Sequence, residues 1–455
     1  MVVVDSRPVG DLSSIFKAYD VRGLAPGELD GEVARRIGVG FAEFAESERI
    51  AVGGDCRAST PQLIEGLIAG ITSRGVDILD IGQITTDMLY YASGALDVPG
   101  VVVTASHNPP EWNGMKFCLA GAAPVGEDTG LGDIQAGADA AAPDEPVEVG
   151  GVETIDVAPG YVDHVLSIVD APSFAPLRVA ADGGNGMAGV VLGSVFDRLP
   201  AKLLGLYLEP DGTFPNHPAD PLRPENLVDL LELMSEEQPD LGVAFDGDAD
   251  LAFFVDDHGV PLPGSTTTAI IADWFLKREA GAVVVHNLIC SRAVPETILS
   301  AGGTPVRTRV GHSFIKQVMK ETGAVFGGEH SGHYYFRDNY RADSGILAML
   351  VLLQVMSEDG RPLSELRRGY EPYSQSGEIN YVVDDKDATL REVERSFAEA
   401  SIDRLDGLTI DLGDRWFNLR PSNTEPVLRL NAEAPTDDEV ASIVGSVAQF
   451  MEESQ

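Results

Sequence analysis

The stretch VVVTASHN (101–108) sets the pattern of the fold, because a run of valines that predicts a β-strand ends abruptly in small polar residues. The same pattern recurs in RVAADGGNG (178–186) and in VVVHNLICS (283–291), and each stretch is followed by a plausible helix. Helical sequence also precedes such strands, for example at 61–73 and 227–235. Strands that alternate with helices predict α/β layers with ligand-binding loops at the carboxyl ends of the strands.

Length and composition are those of a globular protein with several domains. The chain has 455 residues, of which 44% are hydrophobic and 23% are charged; at about 150 residues per domain, roughly three domains are expected, with two or four also open. The formal net charge is −40, from 72 acidic and 32 basic residues. Because nucleic acids and anionic membranes are bound through lysine and arginine, this charge argues against both as partners. A small anionic ligand needs only a local basic cluster.

Cysteine spacing and the terminal sequence predict a cytoplasmic protein. Cys56, Cys118 and Cys290 are far apart and fit neither a disulfide framework nor a zinc site. The first 12 residues lack the basic and apolar regions of a signal peptide. The longest apolar run, 346–353, is too short to span a bilayer.

Breaks in composition divide the chain into four predicted domains. The segment 136–150 is rich in alanine, proline and acidic residues and predicts a linker or an exposed excursion, and further breaks fall near 254–264 and 368–378. The last part predicts strands and an amphipathic helix from Asp437. The predicted domains, each of ordinary size, are residues 1–150, 151–254, 255–368 and 369–455.

A serine at the end of the first quoted strand is a candidate nucleophile. Ser106 lies in the loop of TASHNPPEWNGMK (104–116), beside His107 and ten residues before Lys116. A serine needs a base, a metal or a positive field to act as a nucleophile, and taken alone this segment fits an ordinary loop better. Its sequence differs from the GxSxG elbow of the α/β-hydrolases, which disfavours acyl transfer.

Three aspartates at alternate positions provide a candidate metal site. Asp246, Asp248 and Asp250 lie in LGVAFDGDADLAFFVDD (241–257), between two predicted apolar strands. Carboxylates packed so closely repel one another, and a hard cation that bridges their oxygens relieves the repulsion. The loop is not an EF-hand, because Leu251 occupies the position of the required glycine. An acidic surface turn is the alternative, but the flanking apolar strands favour a buried Mg²⁺ site.

The segment RTRVGHSFIKQ (307–317) leads into FGGEHSGHYYF (326–336) and joins a cationic cluster to a glycine-rich loop. The cationic or titratable residues are Arg307, Arg309, His312 and Lys316. The glycines allow a ligand to approach the backbone near Glu329 and Ser331, whose carboxylate and hydroxyl suit hydrogen bonding to a sugar. The loop also holds the histidines His330 and His333. At least one of these two is expected to be a packing residue.

The segment RWFNLRPSNTEPVLRLN (415–431) predicts a strand, a polar loop and a second strand. Arg420 ends the first strand, and the loop offers donors from Ser422, Asn423 and Thr424. A planar guanidinium with such donors makes a cradle for an oxyanion. For this segment alone, a plain hairpin is an equally good interpretation.

Together and in this order, the four motifs resemble those of the α-D-phosphohexomutase superfamily over nearly the whole chain. Further matching segments are FKAYDVRG (16–23), GGDCRAST (53–60) and FPNHPADPLRPENL (214–227). The most similar branch is that of the bacterial and archaeal phosphomannomutase/phosphoglucomutases. The resemblance implies an α/β protein with three related α/β domains of mixed sheets and a C-terminal α+β domain, arranged around a central cleft.

The resemblance also implies roles for individual residues. One Mg²⁺ per chain would be held by a phosphate oxygen on Ser106 and by Asp246, Asp248 and Asp250. The positions that read the sugar correspond to Glu329 and Ser331, with His333 beside them. The loop that grips the non-reacting phosphate corresponds to Arg420, Ser422, Asn423 and Thr424. Residues around the reacting centre correspond to Arg22, Lys116 and His312.

The implied activity is a reversible exchange of phosphate between the 1- and 6-hydroxyls of a hexose, either mannose, glucose or both. Phospho-Ser106 would donate its phosphoryl group to a sugar phosphate, and the resulting hexose 1,6-bisphosphate, which also acts as activator, would return the other phosphate. Lys116 or His312 is the candidate base, and Lys116 is favoured because it is tethered to the nucleophile's own loop. The expected partners are small sugar phosphates, and both a monomer and a dimer fit the sequence.

Two departures from the family pattern keep alternatives open. Leu251 stands where the family usually has an arginine beside the phosphoserine, and Ile289 stands where it often has a lysine. Loss of one charge-assisted contact with phosphate costs about 1.5–3 kcal/mol, which slows turnover without abolishing it. The alternatives are a phosphoglucosamine mutase, a non-catalytic sugar-phosphate sensor of the same fold, and a phosphatase that hydrolyses its own phosphoserine.

Overall fold

The computed structural model describes residues 12–141, 149–421 and 427–452. The chain forms two compact units: the first comprises Met1–Pro261 and Tyr335–Gly360, and the second comprises Leu262–Tyr334 and Arg361–Gln455. No helix within the described ranges is both long and apolar enough to cross a membrane.

The first unit begins with a mixed sheet that carries the candidate nucleophile. Its strands are β1 (Val21–Leu24), β2 (Arg49–Gly54), β3 (Asp77–Gln83), β4 (Gly100–Val103), β5 (Trp112–Leu119), β6 (Ala123–Pro124) and β7 (Val152–Thr154). Its helices are α1 (Gly31–Ala45), α2 (Thr60–Thr72), α3 (Thr86–Leu96) and α4 (Leu131–Ala140). The strand order is β1-β5-β4-β2-β3-β7, with β6 beside β5. Strand β4 is buried throughout, as its unbroken apolar sequence predicts for a central strand.

Helix α4 corrects part of the linker predicted at 136–150. Residues up to Ala140 are helical, and Leu131, Ile134 and Ala138 are buried in the core beneath α1. Their spacing of three and four residues places them on one helix face, which outweighs the alanine and aspartate content of the segment. Residues 142–148 lie outside the described residues.

A second α/β sheet completes most of the first unit. Its elements are α5 (Ala158–Ile168), β8 (Arg178–Asp182), α6 (Gly189–Phe196), β9 (Lys202–Leu206), α7 (Val228–Glu237), β10 (Leu241–Phe245) and β11 (Ala252–Val255). The strand order is β11-β10-β8-β9. Strands β10, β8 and β9 are parallel, whereas β10 and β11 form an antiparallel pair. The predicted aspartate loop connects this antiparallel pair.

The second unit begins with a third α/β layer. Its elements are α8 (Gly264–Arg278), β12 (Val283–Asn287), α9 (Ala293–Ser300), β13 (Thr304–Thr308), α10 (His312–Thr322) and β14 (Phe326–Gly328). Strand β12 lies between β13 and β14, parallel to both. The chain then forms β15 (Tyr334–Phe336) and returns to the first unit with α11 (Gly345–Asp359).

The C-terminal part of the second unit has a different, antiparallel architecture. Its elements are α12 (Leu363–Leu366), β16 (Ser374–Gln375), β17 (Ile379–Val382), α13 (Lys386–Ser396), β18 (Ser401–Asp403), β19 (Leu408–Asp411), β20 (Trp416–Pro421), β21 (Val427–Ala434) and α14 (Asp437–Glu452). The strand order is β16-β21-β20-β19-β18, and β17 also pairs with β21. Helix α14 begins at the predicted residue and covers the sheet with Val440, Ile443 and Val447. The predicted fold class, three α/β layers and a C-terminal α+β part, is therefore confirmed.

Candidate active site

Ser106 lies in the loop after β4 and has a left-handed backbone conformation, with φ at +50°. This conformation is uncommon for a residue with a side chain. The residue is 4% exposed. Its Oγ donates a hydrogen bond to Asp246 Oδ2 at 2.6 Å and lies 3.1 Å from His107 Nδ1. The candidate nucleophile therefore contacts the first of the three predicted aspartates directly.

The close approach of the serine and aspartate loops depends on Gly247. A Cβ atom at this position would lie 2.4 Å from the carbonyl oxygen of Ser106. Only glycine therefore allows these two backbones to meet without a shift. On its other side the serine is held by Thr104, whose Oγ1 accepts a hydrogen bond from the Ser106 amide at 3.1 Å.

Asp246, Asp248 and Asp250 converge between β10 and β11. They are at most 2% exposed, and one carboxylate oxygen from each lies within 4.8 Å of the others. Thr86 Oγ1 donates to Asp248 Oδ2 at 2.5 Å, whereas the buried Asp248 Oδ1 has no hydrogen-bond partner among the described residues. Buried oxygens normally have a partner, so three carboxylates with such an oxygen fit a hard divalent cation.

Lys116 on β5 compensates part of the negative charge in this cluster. Its Nζ lies 2.7 Å from Asp248 Oδ2 and 2.6 Å from Asp250 Oδ2. Burial alone would lower the pKa of Lys116, but the two carboxylates raise it well above its ordinary value. Burial, together with Asp248 and Asp250, raises the pKa of Asp246 well above its usual range. The base role of Lys116 stays a prediction, and these contacts favour its protonated form.

Arg22 lies on β1, opposite Gly114 of β5. Its Nη2 donates to Asp20 Oδ2 at 2.7 Å. Its Nη1 donates to the carbonyl of Ala105 at 3.2 Å and to the side chain of Asn108. Arg22 therefore lies beside the loop of the candidate nucleophile, in the same unit as the aspartate cluster.

In the second unit, the sugar-reading candidates share the loop between β14 and β15. Glu329 is buried, and its Oε2 accepts hydrogen bonds from Asn287 Nδ2 at 3.0 Å and from the Gly311 amide at 3.3 Å. Ser331 Oγ lies 3.2 Å from His333 Nδ1, and both residues are half-buried. Two donors thus fix the direction of the carboxylate.

The other two histidines of this region differ in their surroundings. Burial and the charges of Arg420 and His333 lower the pKa of His330 to about 3, so its ring is neutral at neutral pH. Its Nδ1 lies 3.3 Å from Asn287 Nδ2. The half-buried, neutral ring of His330 is consistent with a packing role. His312, the other candidate base, is the first residue of α10. It follows Gly311, whose amide donates a hydrogen bond to Glu329.

Arg420 lies on β20, directly opposite Arg429 on β21. Arg420 Nη2 lies 3.8 Å from Glu378 Oε2, and Arg429 Nη1 lies 3.3 Å from Glu378 Oε1. Arg420 is buried, and its Nε has no hydrogen-bond partner among the described residues. The predicted cradle residues Ser422, Asn423 and Thr424 lie outside the described residues. Arg429 and Glu378 were not predicted, because the strand register that pairs the two arginines is not visible in the local sequence.

The two positions that depart from the family pattern are filled by apolar packing. Leu251 is fully buried, and its amide donates to Asp246 Oδ1 at 3.3 Å. Ile289 packs with Leu288 and Trp416 in a small apolar cluster. Leu251 and Ile289 therefore provide no positive charge for a phosphate, which agrees with the sequence analysis.

Arg57 was also absent from the residues predicted to belong to the site, although it lies in the quoted segment 53–60. Its guanidinium binds backbone carbonyls of the nucleophile loop. The available signal was the pair Asp55 and Arg57 directly after β2, and in the structure these two side chains form a buried ion pair.

The architecture, three α/β layers and a C-terminal antiparallel part, is that of the α-D-phosphohexomutase superfamily. Comparison with known families supports this assignment separately for each of four parts of the chain. Models of the phosphoglucomutase/phosphomannomutase family match as alpha/beta/alpha domain I at 13–141, domain II at 159–259, domain III at 263–373 and the C-terminal domain at 378–450. The chain therefore belongs to the phosphoglucomutase/phosphomannomutase family, and the predicted resemblance is confirmed.

Individual relatives match over nearly the full length. A phosphomannomutase from Salmonella montevideo is 39% identical over an alignment of 433 residues, which covers 93% of this chain and 95% of that protein. A phosphomannomutase/phosphoglucomutase from Pseudomonas aeruginosa is 37% identical and covers 95% of this chain and 94% of its own. The crystal structure of a family member from Burkholderia thailandensis has a TM-score of 0.88 at 32% identity, with 97% of each chain covered. The protein is thus an enzyme of the phosphohexose mutase class.

Proposed function

We propose that the protein interconverts hexose 1-phosphates and hexose 6-phosphates through a phosphoryl group carried on Ser106. The contact between Ser106 Oγ and Asp246 Oδ2 at 2.6 Å carries this proposal. A serine hydroxyl at the edge of a buried carboxylate cluster is suited to phosphoryl transfer, because that chemistry depends on positioning and on charge neutralisation. Lys116 provides positive charge to the carboxylate cluster, and Arg22 provides positive charge beside the loop of Ser106.

The metal in this proposal is Mg²⁺, held by Asp246, Asp248 and Asp250. The Asp248 oxygen that has no hydrogen-bond partner among the described residues, and the mutual proximity of the three carboxylates, support this assignment. Mg²⁺ prefers carboxylate oxygens and commonly binds together with a substrate phosphate. When bound, the ion supplies charge neutralisation at the phosphoryl oxygens.

The reaction requires two transfers in opposite directions. In the first, an oxygen of the sugar hydroxyl forms a bond to the phosphorus on Ser106, the bond from phosphorus to Oγ breaks, and the hydroxyl proton passes to a base. In the second, Oγ forms a bond to the other phosphorus of the hexose 1,6-bisphosphate, the bond from that phosphorus to the sugar oxygen breaks, and the sugar oxygen takes a proton back from the base. This second transfer is why the bisphosphate is the expected activator. Lys116 and His312 are the candidate bases, and Lys116 must first give up the proton that Asp248 and Asp250 stabilise.

Substrate recognition in this proposal falls to the second unit. Glu329, Ser331 and His333 provide a fixed carboxylate, a hydroxyl and an imidazole that can hydrogen-bond to sugar hydroxyls. Arg420, with its neighbour Arg429, provides guanidinium groups for the non-reacting phosphate. Mannose and glucose phosphates are both proposed substrates.

The four domain boundaries and the cytoplasmic location also stay predictions.

Substitution of the nucleophile tests the proposal. Ser106→Ala should lose mutase turnover with mannose 1-phosphate or glucose 1-phosphate, even with hexose 1,6-bisphosphate present. The intact mass of the wild-type protein should show one added phosphate that is absent from the variant. Substantial activity in the variant would refute the assignment, and release of inorganic phosphate instead of the isomeric sugar phosphate would favour the phosphatase.

A further inference from the structure

The side chain of Arg57 lies buried beneath the loop that carries Ser106, and the residue is 1% exposed. Its Nη2 donates to the carbonyls of Ser106 and Asn108, both at 2.7 Å. Its Nη1 donates to the carbonyls of Pro109 at 2.7 Å and Trp112 at 3.1 Å. A single guanidinium thus binds four backbone carbonyls between residues 106 and 112.

Arg57 is itself held on its remaining sides. Its Nε donates to Asp55 Oδ2 at 3.0 Å, while Asp55 Oδ1 accepts from the Arg57 amide at 3.0 Å. The ring of Phe214 lies against the guanidinium, with its centroid 5.0 Å from Cζ. A Cβ atom at Gly212 would lie only 2.4 Å from the Arg57 Cα. The packing therefore leaves the guanidinium little freedom to move away from the loop.

This arrangement explains how Ser106 keeps its backbone conformation. A residue with a side chain stays in the left-handed region only when its surroundings hold it there. Hydrogen bonds from a charged donor are stronger than those between neutral groups, and one of them binds the carbonyl of Ser106 itself. Gly247 approaches the same carbonyl from the aspartate loop, so the Ser106 peptide is confined between the two.

We infer that Arg57 is a positioning residue for phosphoryl transfer, which holds the Ser106 peptide so that Oγ points toward Asp246. Among the described residues, its hydrogen bonds go to backbone carbonyls and to Asp55, so it acts through the loop and not on the reacting atoms. The inference depends on the proposed role of Ser106. Lysine cannot replace it, because an ammonium is a point charge without the planar fork that serves several carbonyls.

A second buried arginine of the same unit offers a matched control. Arg36 on α1 is 8% exposed. Its Nε donates to the carbonyl of Ala138 at 2.9 Å, and its Nη2 donates to Asp139 Oδ1 at 3.3 Å. It therefore fastens α4 to α1 by the same kinds of bond that Arg57 uses for the nucleophile loop.

The experiment compares Arg57→Lys with Arg36→Lys in the full chain with Mg²⁺ and hexose 1,6-bisphosphate. For mannose 1-phosphate, Arg57→Lys should lower kcat by about 100-fold, as displacement by about 1 Å can do, with KM within about twofold. The mass spectrum should show slower phosphorylation of Ser106 by the bisphosphate. Arg36→Lys should also lower Tm, because it weakens a buried contact of the same unit, but it should keep kcat within about twofold of wild type.

The outcomes separate this inference from the proposed function. An unchanged kcat in Arg57→Lys, or an equal loss of kcat in both variants, overturns the positioning role. If Ser106→Ala is active, the proposed function fails instead. Should Arg57→Lys not fold, Phe214→Leu removes only the ring against the guanidinium, and it should lower kcat by about threefold to tenfold with KM unchanged. A normal kcat in Phe214→Leu would then overturn the inference.

Discussion

Lys116 Nζ lies 2.6 Å from Asp250 Oδ2, and this ion pair joins the sheet that carries the nucleophile to the loop that carries the aspartates. The same ammonium lies 2.7 Å from Asp248 Oδ2. Lys116 and a divalent cation would therefore compete for the same carboxylates. The lysine compensates their charge when no metal is bound, which keeps three buried carboxylates compatible with a stable fold.

Removal of this ammonium should make stability depend on metal. Lys116→Met keeps the length of the side chain but leaves Asp248 and Asp250 without their cation, and loss of one partner of a buried pair costs about 3–5 kcal/mol. We expect Tm of Lys116→Met to fall strongly in EDTA and to recover largely with excess Mg²⁺, while turnover is lost in both conditions. Wild-type protein should show a much smaller difference in Tm between EDTA and Mg²⁺. An equal difference in both proteins would show that lysine and metal do not share the carboxylates.

A methyl group at residue 247 should disrupt the contact between the serine and aspartate loops. The Cβ of Gly247→Ala would lie 2.4 Å from the Ser106 carbonyl, so one of the two backbones must move. We expect kcat to fall by about 100-fold or more, because a shift of about 1 Å at a reacting group can have this effect. The control is Gly193→Ala in α6, where a Cβ meets no atom within 4 Å. That substitution should keep kcat and raise stability by about 0.5–1 kcal/mol, and a similar kcat in both variants would contradict the prediction.

The features that the sequence predicted well are set by short-range patterns. The valine-rich strands, the aspartate loop and the start of α14 at Asp437 follow from alternation, apolar runs and helix periodicity within a few residues. The prediction of a linker at 136–150 is partly wrong, because the helical spacing of Ile134 and Ala138 outweighs the composition of the segment. Local patterns thus identified the α/β layers and the residues that end the quoted strands, whereas the C-terminal α+β domain was implied by the family resemblance.

The residues that were missed are defined by contacts between distant parts of the chain. Arg57 binds a carbonyl 49 positions away, and Asp87 accepts a hydrogen bond from Ser344, 257 positions away. By contrast, Arg429 is close to Arg420 in the chain, and the sequence of 415–431 predicts the two strands but not the register that places these arginines opposite each other. No local pattern encodes partners as distant as those of Arg57 and Asp87. They become visible only when the topology brings the elements together.

Glu378 is expected to weaken binding of phosphate by the paired arginines. Its carboxylate contacts both Arg420 and Arg429, and a substrate phosphate must compete with it. Glu378→Gln removes this charge, and for a partly exposed pair the gain is on the order of 1 kcal/mol. We expect KM for mannose 1-phosphate to fall by about fivefold, with a smaller effect at high salt.

The control for this prediction removes the same charge elsewhere in the second unit. Glu296 accepts a hydrogen bond from Tyr373 at 2.8 Å on the surface, and Glu296→Gln should leave KM within about twofold of wild type. If KM rises in Glu378→Gln, the carboxylate orients the arginines for substrate and does not compete with it.

Asp87 at the start of α3 accepts hydrogen bonds from three hydroxyl groups. The donors are Thr85, Tyr161 on α5 and Ser344, which caps α11. Burial raises the pKa of Asp87 to about 6, although the three hydrogen bonds oppose this shift. Asp87 thus links the start of α3 with α5 and α11, although burial of its carboxylate is unfavourable for the ionised form.

Because this pKa is higher in the folded protein than in the unfolded chain, the native state binds more protons between about pH 4 and 6. The contribution of Asp87 to stability is therefore complete at low pH and is lost as pH rises through about 6. Asp87→Asn removes the titration. Relative to this variant, wild-type protein should lose about 1 kcal/mol of stability between about pH 5.5 and 7.5, measured as the difference in Tm at each pH. Parallel pH profiles of the two proteins would show that Asp87 is already ionised throughout this range, and that its three hydroxyl donors outweigh its burial.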